Sequence, residues 1–524
     1  MPPRNRADRG SDFAPPEREP TSGGSWITRK VEERLHPRVS WTMTAIGCIE
    51  GPLDAPLPWN RIAWEAVRRN VSRLQARIVK AVRAGRWHRV GSLQRLLRKS
   101  LGAKLLAVQR ATSNQGKNTA GVDGIVLKTP AQKWQQAQAL HRQGYQPLPV
   151  RRIYIPKKNG KKRALGIPAQ CDRAEQALDL LALDPVSETL ADSCSYGFRK
   201  ERSPQDAMQR CFQSLAKRSS AEWILEGDIR ACFDAFDHEW LVEHTPTDQG
   251  RLRAWLKAGF MEQGRLFPTE RGTAQGGIIS PTVANMALDG LEDRLRARFK
   301  RRGKVNLIRF ADDFVITGES RAILEQDVTP LVTEFLHERG LVLAPEKTRI
   351  VRIDEGFDFL GFHFRKYCGK LLIKPSRASI DHIYGKTKTI LQAGQQWPQS
   401  EVIRTLNPVL RGWGNYYRSV VSKAVLLGLD DRIWRLTWNW ARRRHPQKNH
   451  QWIWERYFPR QGSRRWILND GCHTLVSLGY IPIRRHVLVR SGTNPYDPQD
   501  ADYFQQRRAA NRAYPSHQGL AYVR

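Results

Sequence analysis

The chain has little of what secreted, zinc-binding and membrane proteins depend on. Its seven cysteines are an odd number among 524 residues, and no Cys-x-x-Cys pair occurs. A disulfide framework or a zinc knuckle is therefore not expected, and the thiols are predicted to be buried and reduced. No apolar run approaches the roughly 20 residues that a membrane-spanning helix needs. The first 40 residues lack the apolar core of a secretory signal, and Asp8, Asp12, Glu17 and Glu19 argue against a mitochondrial transit peptide. These absences favour the cytoplasm.

Negative charge is also scarce. Lys and Arg number 87 against 51 Asp and Glu, which gives a formal net charge of +36. A well-solvated small domain needs a net charge of only about 2–8, so several domains together do not account for this excess. Each Lys or Arg set against a phosphate releases condensed counterions. The composition therefore predicts a protein that binds nucleic acid.

Composition and hydrophobic pattern predict an α+β fold in several parts. Residues 1–58 are polar and rich in proline, which is typical of a flexible arm. Strands interleaved with helices and hairpins over 59–375 favour a palm-like sheet rather than a doubly wound one. Residues 376–460 are helical and rich in tryptophan and arginine, and 461–524 form a small basic region.

The first predicted helix is amphipathic and has a basic outer side. Its apolar residues recur at spacings of three and four, which predicts a stripe that packs on a core. The stripe is Trp64, Val67, Val71, Leu74, Ile78 and Val82, and the basic side is Arg68, Arg73, Arg77 and Lys80. That basic side is either a solvated face or a surface that faces RNA.

Three carboxylates are placed to share a metal site. Asp312 and Asp313 lie between two short apolar runs, so they are predicted to lie at the tip of a β-hairpin. Asp228 ends another apolar strand, which begins at Trp223. A charge at the end of an apolar strand needs a partner, and carboxylates held together bind divalent ions. The pattern indicates two-metal phosphoryl transfer.

A second predicted hairpin, over 151–168, has a cationic turn and return strand. Together with eight other segments in this order, it resembles the reverse transcriptases and maturases that group II introns encode. The nine segments are 114–124, 153–168, 195–199, 228–238, 272–281, 310–313, 346–348, 359–362 and 411–417. The resemblance covers nearly everything from Trp59 to about Phe504. It implies a right-hand polymerase, with fingers and palm followed by a helical thumb or maturase domain.

The resemblance also implies roles for particular residues. Asp228, Asp312 and Asp313 would be catalytic and hold two Mg²⁺ ions. Alternatively, Asp313 would not bind metal itself but would orient Asp312. Nucleotide contacts would come from Lys161, Arg163, Phe233, Gln275 and Lys347. For Phe233 the alternative is packing in the palm, and for Lys161, Arg163 and Lys347 it is a solvated side chain.

Nucleic-acid contacts are expected from basic residues in the first helix, a glycine-bearing loop and the thumb. These are Arg68, Arg73, Arg77, Lys117, Arg411, Arg418, Arg442, Arg443 and Arg444. The tryptophans of the thumb are by default core residues, with base stacking as the alternative.

The leading hypothesis is an enzyme with two activities. It assists splicing of its own intron RNA, and it then uses dNTPs to copy that RNA into DNA from a primer in the target DNA. A splicing-only maturase and a domesticated, defence-associated reverse transcriptase are the alternatives. A bacterial, nucleoid-associated ribonucleoprotein is the expected setting, with an organelle as the alternative. Many relatives carry a Cys- and His-bearing nuclease, which is not expected here because Cys472 and His473 stand alone.

Overall fold

The computed structural model describes residues 59–141, 143–156, 160, 162–300, 302–460 and 466–512. The arm predicted over 1–58, the nucleotide contact predicted for Lys161 and the end of the chain from 513 lie outside these residues.

The amino-terminal part is helical, as the hydrophobic stripe predicts. Its helices are α1 (Trp64–Arg83), α2 (Trp87–Lys99), α3 (Leu101–Ser113) and α4 (Pro130–Ala139). Val71, Ile78 and Val82 of α1 are buried, whereas the basic residues of its other side are exposed. These helices form one apolar core with α5 (Gln170–Leu190), an element in which sixteen side chains are buried.

The fingers hairpin and a short second hairpin form one sheet. Strands β1 (Val150–Pro156) and β2 (Lys162–Ile167) pair antiparallel, and β1 also pairs with β4 (Phe260–Glu262), which pairs with β5 (Arg265–Phe267). The strand order is β2-β1-β4-β5.

The palm is a four-stranded antiparallel sheet that packs on helices. Its strands are β3 (Trp223–Gly227), β6 (Asn306–Phe310), β7 (Asp313–Gly318) and β8 (Arg349–Arg352), in the order β6-β7-β3-β8. The helices are α6 (Pro204–Leu215), α7 (Cys232–Ala235), α8 (His238–His244), α9 (Gln249–Leu256), α10 (Ser280–Leu288), α11 (Leu291–Phe299) and α12 (Thr329–His337). This antiparallel sheet confirms the predicted α+β class.

A left-handed glycine and a π-helical turn interrupt the helices of the palm. Gly290, which has a φ of +94°, separates α10 from α11. A π-helical turn over Ile323–Val328 precedes α12. Glycine with a left-handed φ ends regular hydrogen bonding wherever the tertiary structure requires a change of direction. Cys368 and Cys472 are exposed rather than buried, because both lie in turns.

A small sheet leads from the palm to the thumb. It contains β9 (Phe357–Phe359), β10 (Phe362–Tyr367) and β11 (Lys370–Pro375) in the order β11-β10-β9. The thumb helices are α13 (Arg377–Ala393), α14 (Gln399–Tyr417), α15 (Lys423–Arg444) and α16 (His450–Tyr457). Tryptophans pack in their core, with Trp440 buried, whereas Trp466 is exposed at the edge of that cluster.

The described carboxyl-terminal residues, 466–512, pack on cores formed by the preceding elements. Leu468, Leu475 and Leu478 join the thumb core, whereas Val489 joins the core around α6 and the small sheet, together with Phe504 of α17 (Ala501–Ala510). Among the described residues, no helix is both long and apolar enough to cross a bilayer.

Candidate active site

The predicted carboxylate hairpin forms where β6 turns into β7. Phe310 and Asp313 are the last residue pair of the two strands, so Ala311 and Asp312 are the two turn residues. Ala311 has a φ of +59°, a left-handed value that costs a residue with a Cβ roughly 1–2 kcal/mol. The surrounding contacts must therefore hold this turn in place.

Strand β3 brings Asp228 to the same place. Gly227, the last residue of β3, pairs with Phe314, so Asp228 follows directly after the last pair of β3 and β7, and Asp313 lies beside the same pair. Facing residues of antiparallel strands have Cα atoms about 5 Å apart. Asp228 and Asp313 also line the same cavity, so the three carboxylates are neighbours. Within the described ranges, however, no three acidic, His or Cys side chains stand in a geometry that already holds a metal ion.

Electrostatics confirm that the carboxylates influence each other. Desolvation by the surrounding protein, together with the charges of Asp312 and Asp228, raises the pKa of Asp313 to about 6, although its side chain reaches the solvent of the cleft. Desolvation and Asp228 also raise the pKa of Asp312. Arg163 and Lys347 oppose both shifts, so these two cations lie near the carboxylates.

Lys347 is bound to Asp228. Its ammonium donates to the two carboxylate oxygens at 2.9 and 2.8 Å, and the hydrogen bond raises the pKa of Lys347. Both side chains line a cavity of about 430 Å³ beside the carboxylates, together with Glu226, Asp313 and Glu346. Lys347 thus neutralises part of the acidic charge in this structure.

A buried arginine supports the carboxylate turn. Arg309 is 1% exposed, and its Nη1 donates to the carbonyl of Ala311 at 3.3 Å and to Oδ1 of Asn285 at 3.2 Å. Its Nη2 donates to the buried carboxylate of Asp289. Asn285 in turn donates to the carbonyl of Gly197 at 2.7 Å. The turn is therefore held from below by a fully buried network.

Gly197 completes this support by close approach. A Cβ at Gly197 would collide with the backbone nitrogen of Ala311, so only glycine fits there. Backbone bonds from Arg309 to Cys194 at 3.0 Å and from Tyr196 to Arg309 at 2.9 Å pin the same segment to β6. Sequence reasoning missed Arg309, Asn285 and Gly197 as site residues, although 195–199 was among the recognised segments.

The glycine-rich segment joins the fingers to the palm. The carbonyl of the half-buried Gln275 accepts from Gly166 of β2 at 2.8 Å, and Thr273 donates to Phe233 at 2.6 Å. Gly276 has a φ of +121°, and a Cβ there would collide with the carbonyl of Gly166. Because Gly276 has no Cβ, its backbone can lie against the hairpin that carries Arg163.

Phe233 lies in α7 and is half-buried against the palm core. Its ring meets that of Phe198 edge to face at 6.4 Å, and Phe198 is 57% exposed with a φ of +56°. A large aromatic side chain this exposed beside a candidate sugar contact is a functional signal that the sequence analysis did not use.

The basic residues predicted to bind nucleic acid fall into two groups. Arg418 is buried and donates to the carbonyl of Arg512 at 3.2 Å, and Arg444 donates to the carbonyls of Gln395 and Trp397 at 2.8 and 2.7 Å. Arg411 is half-buried, and the others are exposed: Arg68, Arg73, Arg77, Lys117, Arg442 and Arg443. Arg444 therefore closes a turn of the thumb and does not present its guanidinium on an open surface.

The palm sheet is antiparallel and has three carboxylates at one end of its two central strands. A cationic hairpin lies beside it and a helical domain follows it. This arrangement defines a template-directed polymerase. Three family patterns match: "Reverse transcriptase (RNA-dependent DNA polymerase)" over 155–364, "N-terminal domain of reverse transcriptase" over 59–140, and "Group II intron, maturase-specific domain" over 380–458. The chain belongs to the group II intron reverse transcriptases and maturases, and it is an RNA-directed DNA polymerase.

Curated relatives agree with this assignment. Protein YkfC of Escherichia coli is 33% identical over 51% of this chain and 82% of its own length. The group II intron-encoded protein LtrA of Lactococcus lactis is 27% identical over 60% of this chain and 68% of its own. A telomerase structure from Candida albicans matches 59% of this chain and 64% of its own at 12% identity, with a TM-score of 0.33, too low to assign a fold.

Proposed function

We propose that this protein binds its own intron RNA, assists its splicing and copies it into DNA by target-primed synthesis. The observation that carries the proposal is the end of the pairing between β3 and β7, where Asp228 follows Gly227 and Asp313 precedes Phe314 next to the Asp312 turn. Arg163 and Lys347 add positive charge beside that acidic centre. Phosphoryl transfer depends chiefly on such positioning and charge neutralisation.

Reverse transcriptases use divalent metals, and the donor set here suits Mg²⁺. Mg²⁺ takes carboxylate oxygens and keeps waters and substrate phosphates as its other ligands. Asp228, Asp312 and Asp313 would hold two such ions, which would supply activation of the attacking hydroxyl and stabilisation of the leaving oxygen. Before Asp228 can contribute both oxygens, its carboxylate has to leave the ammonium of Lys347.

The residues around the carboxylates have separate tasks in this proposal. Arg163, with Lys161, would grip the triphosphate of the incoming dNTP, and Lys347 would move from Asp228 towards the same phosphates. Gln275 would set the hairpin against the nascent base pair, since its carbonyl already fixes Gly166. Phe233, supported by Phe198, would lie under the sugar and exclude a 2′-hydroxyl.

RNA binding would use the exposed cations of the amino-terminal helices and the thumb. Arg68, Arg73 and Arg77 are exposed on α1 outside its apolar stripe, and Arg442 and Arg443 are exposed in the last turn of α15. Cations at the last turn of a helix are favoured by the helix dipole, and exposed guanidinium groups can contact phosphate. The target DNA would supply the primer terminus, and the ribonucleoprotein would work in the bacterial cytoplasm.

Primer extension on an RNA template tests the proposal. The purified protein is expected to extend a DNA primer with Mg²⁺ and dNTPs. Asp312→Asn should lower the rate by at least about a hundredfold and leave the affinity for intron RNA unchanged. Asp327→Asn, at an exposed carboxylate paired with Arg298, is the control and should keep the wild-type rate. No DNA product from the wild-type protein would overturn the polymerase and leave the splicing role alone.

A further inference from the structure

A cationic cavity lies outside the polymerase site, where α6, the end of α14 and the carboxyl-terminal segment meet. Its volume is about 370 Å³, within the range of about 300–1,000 Å³ for ligand pockets. We call it the arginine cavity. Its charged lining residues are Arg202, Arg418, Arg484, Arg485, His486, Arg507 and Arg508, with Glu201 as the acidic member.

Part of this positive charge builds the cavity wall. Arg507 donates to the carbonyls of Val487 and Glu201 at 3.0 and 2.8 Å and to the buried carboxylate of Asp206. Arg508 donates to Oε1 of Glu201 at 2.7 Å. The carboxylates of Asp206 and Glu201 are therefore already paired with Arg507 and Arg508, and they do not neutralise the remaining arginines.

His486 belongs to the same wall. Its Nε2 lies 3.0 Å from Oδ1 of Asp206, which also accepts from the backbone of Val489 at 2.9 Å. Asp206 therefore joins α6 to the carboxyl-terminal segment and fixes the width of the cavity. The wall is preorganised, which lowers the cost of ordering a bound group.

The other arginines of the cavity are less completely paired among the described residues. Arg484 and Arg485 are exposed, and within the described ranges neither guanidinium has an acidic partner. Arg202 binds Glu188 at 2.7 Å through Nη2, but its Nη1 is buried with no acceptor. Burial and the nearby Arg484 lower the pKa of Arg418. Such crowding of like charges is unfavourable unless an anion offsets it.

We infer that the arginine cavity binds a backbone phosphate of a nucleic-acid strand that runs outside the polymerase cleft. Guanidinium groups present forked donors that match phosphate oxygens, and several converge here from three separate segments. A small carboxylate would satisfy fewer of these donors. The inference extends the proposed function, because it adds an anchor for intron RNA or target DNA, and its test does not depend on DNA synthesis.

Binding of Arg484→Gln/Arg485→Gln to equal-length intron RNA, single-stranded DNA and duplex DNA tests the inference. Glutamine keeps much of the side-chain length but removes the charge. At 0.1 M salt we expect affinity for at least one strand type to fall by about tenfold. The slope of log affinity against log salt should fall in magnitude by about one, because the contact to that phosphate is lost.

The matched control removes two exposed charges elsewhere. Lys300→Gln/Arg302→Gln lies between α11 and β6, outside the arginine cavity, and should change affinity by less than twofold. Arg484→Lys/Arg485→Lys should restore the salt slope and part of the affinity, since lysine keeps the charge without the fork.

The strand type that loses affinity identifies the ligand as RNA or DNA. Equal losses in the cavity variant and the control would overturn the inference, as would no loss for any strand. Thermal unfolding of each variant shows whether it is folded. If Arg484→Gln/Arg485→Gln does not fold, a single Arg485→Gln variant that still binds like wild type would also overturn it. A wild-type protein that binds strands but makes no DNA would refute the polymerase proposal alone.

Discussion

Arg309 donates from Nη1 to the carbonyl of Ala311, so a buried cation holds the turn that presents Asp312. The same guanidinium forms an ion pair with Asp289. Burial raises the pKa of Asp289 to about 6, although the charge of Arg309 opposes that rise. Arg309 is therefore a positioning residue, which acts on the carboxylates through the backbone of the turn.

Replacement of Arg309 separates stability from positioning. Arg309→Met should lower the free energy of unfolding by about 3–5 kcal/mol, because the Asp289 carboxylate loses its ion-pair partner and keeps, among the described residues, only the backbone N–H of Asp192 as a donor. Arg309→Met/Asp289→Asn should recover most of that stability, yet kcat should stay at least about tenfold below wild type, since the turn is no longer held. Thermal unfolding and primer extension measure the two effects. A double variant with wild-type kcat would refute the positioning role.

Lys347→Ala should change metal and nucleotide affinity in opposite directions. Without the ammonium, Asp228 is free, so Mg²⁺ should bind the substrate-free protein more tightly, by about fivefold at most for a partly exposed pair. The KM for dNTP should rise, because a phosphate contact is lost. Calorimetry and steady-state kinetics measure these changes. The control is Arg352→Ala, which breaks exposed pairs with Glu222 and Asp354; an equal response there would contradict the prediction.

Gly276→Ala should weaken the joint between fingers and palm. The new Cβ meets the carbonyl of Gly166, and alanine rarely adopts the φ of +121° found there, so the KM for dNTP should rise several-fold together with a loss of stability. Gly264, in the β4–β5 turn, also has a positive φ, of +79°, but has open space around it, so Gly264→Ala is the control. That control should cost about 1 kcal/mol without any change in KM. A wild-type KM in Gly276→Ala would show that the contact is dispensable.

Phe233→Ala should relax the choice of sugar. Loss of the ring opens space where a 2′-hydroxyl would lie, so the preference for dNTP over the matching ribonucleotide should fall by about tenfold or more. Single-nucleotide incorporation measures the two specificities. Phe198→Ala, which removes the neighbouring ring, should have a smaller effect in the same direction. An unchanged preference in Phe233→Ala would assign that side chain to packing.

His238 should make stability depend on pH below neutrality. Its Nε2 lies 2.8 Å from the carbonyl of Gly272, its Nδ1 is buried without a partner, and burial lowers its pKa below 6.5. The unfolded chain therefore takes up a proton first as pH falls, so this stability is present above about pH 6.5 and is lost below it.

His238→Gln should flatten that loss. Between pH 7.5 and 5.5 the thermal midpoint of the wild type should fall further than that of the variant, with up to about 1.4 kcal/mol per pH unit at stake. His244→Gln, at an exposed histidine of the same helix, is the control and should keep the wild-type profile. Parallel profiles for the wild type and His238→Gln would rule out this role.

Individual helices and hairpins could be predicted because their hydrophobic and turn residues repeat with the period of the element that they form. The stripe in α1 has a period near 3.6 residues, and the two hairpins carry turn residues between alternating strands. Their existence was therefore predicted correctly, as was the α+β class. The exposure of Cys368 and Cys472 was not predicted, since it depends on where packing places the turns that carry them.

The sequence by itself determined which carboxylates lie at strand ends, which surface is cationic and which family the chain resembles, because all of these reside in neighbouring residues. Only the tertiary structure decided that Lys347 binds Asp228, 119 positions away, and that Arg309 lies under the turn. It also decided that Arg418 and Arg484 meet in one cavity. The physical reason is that such contacts depend on how distant segments pack, and packing leaves no period in the sequence.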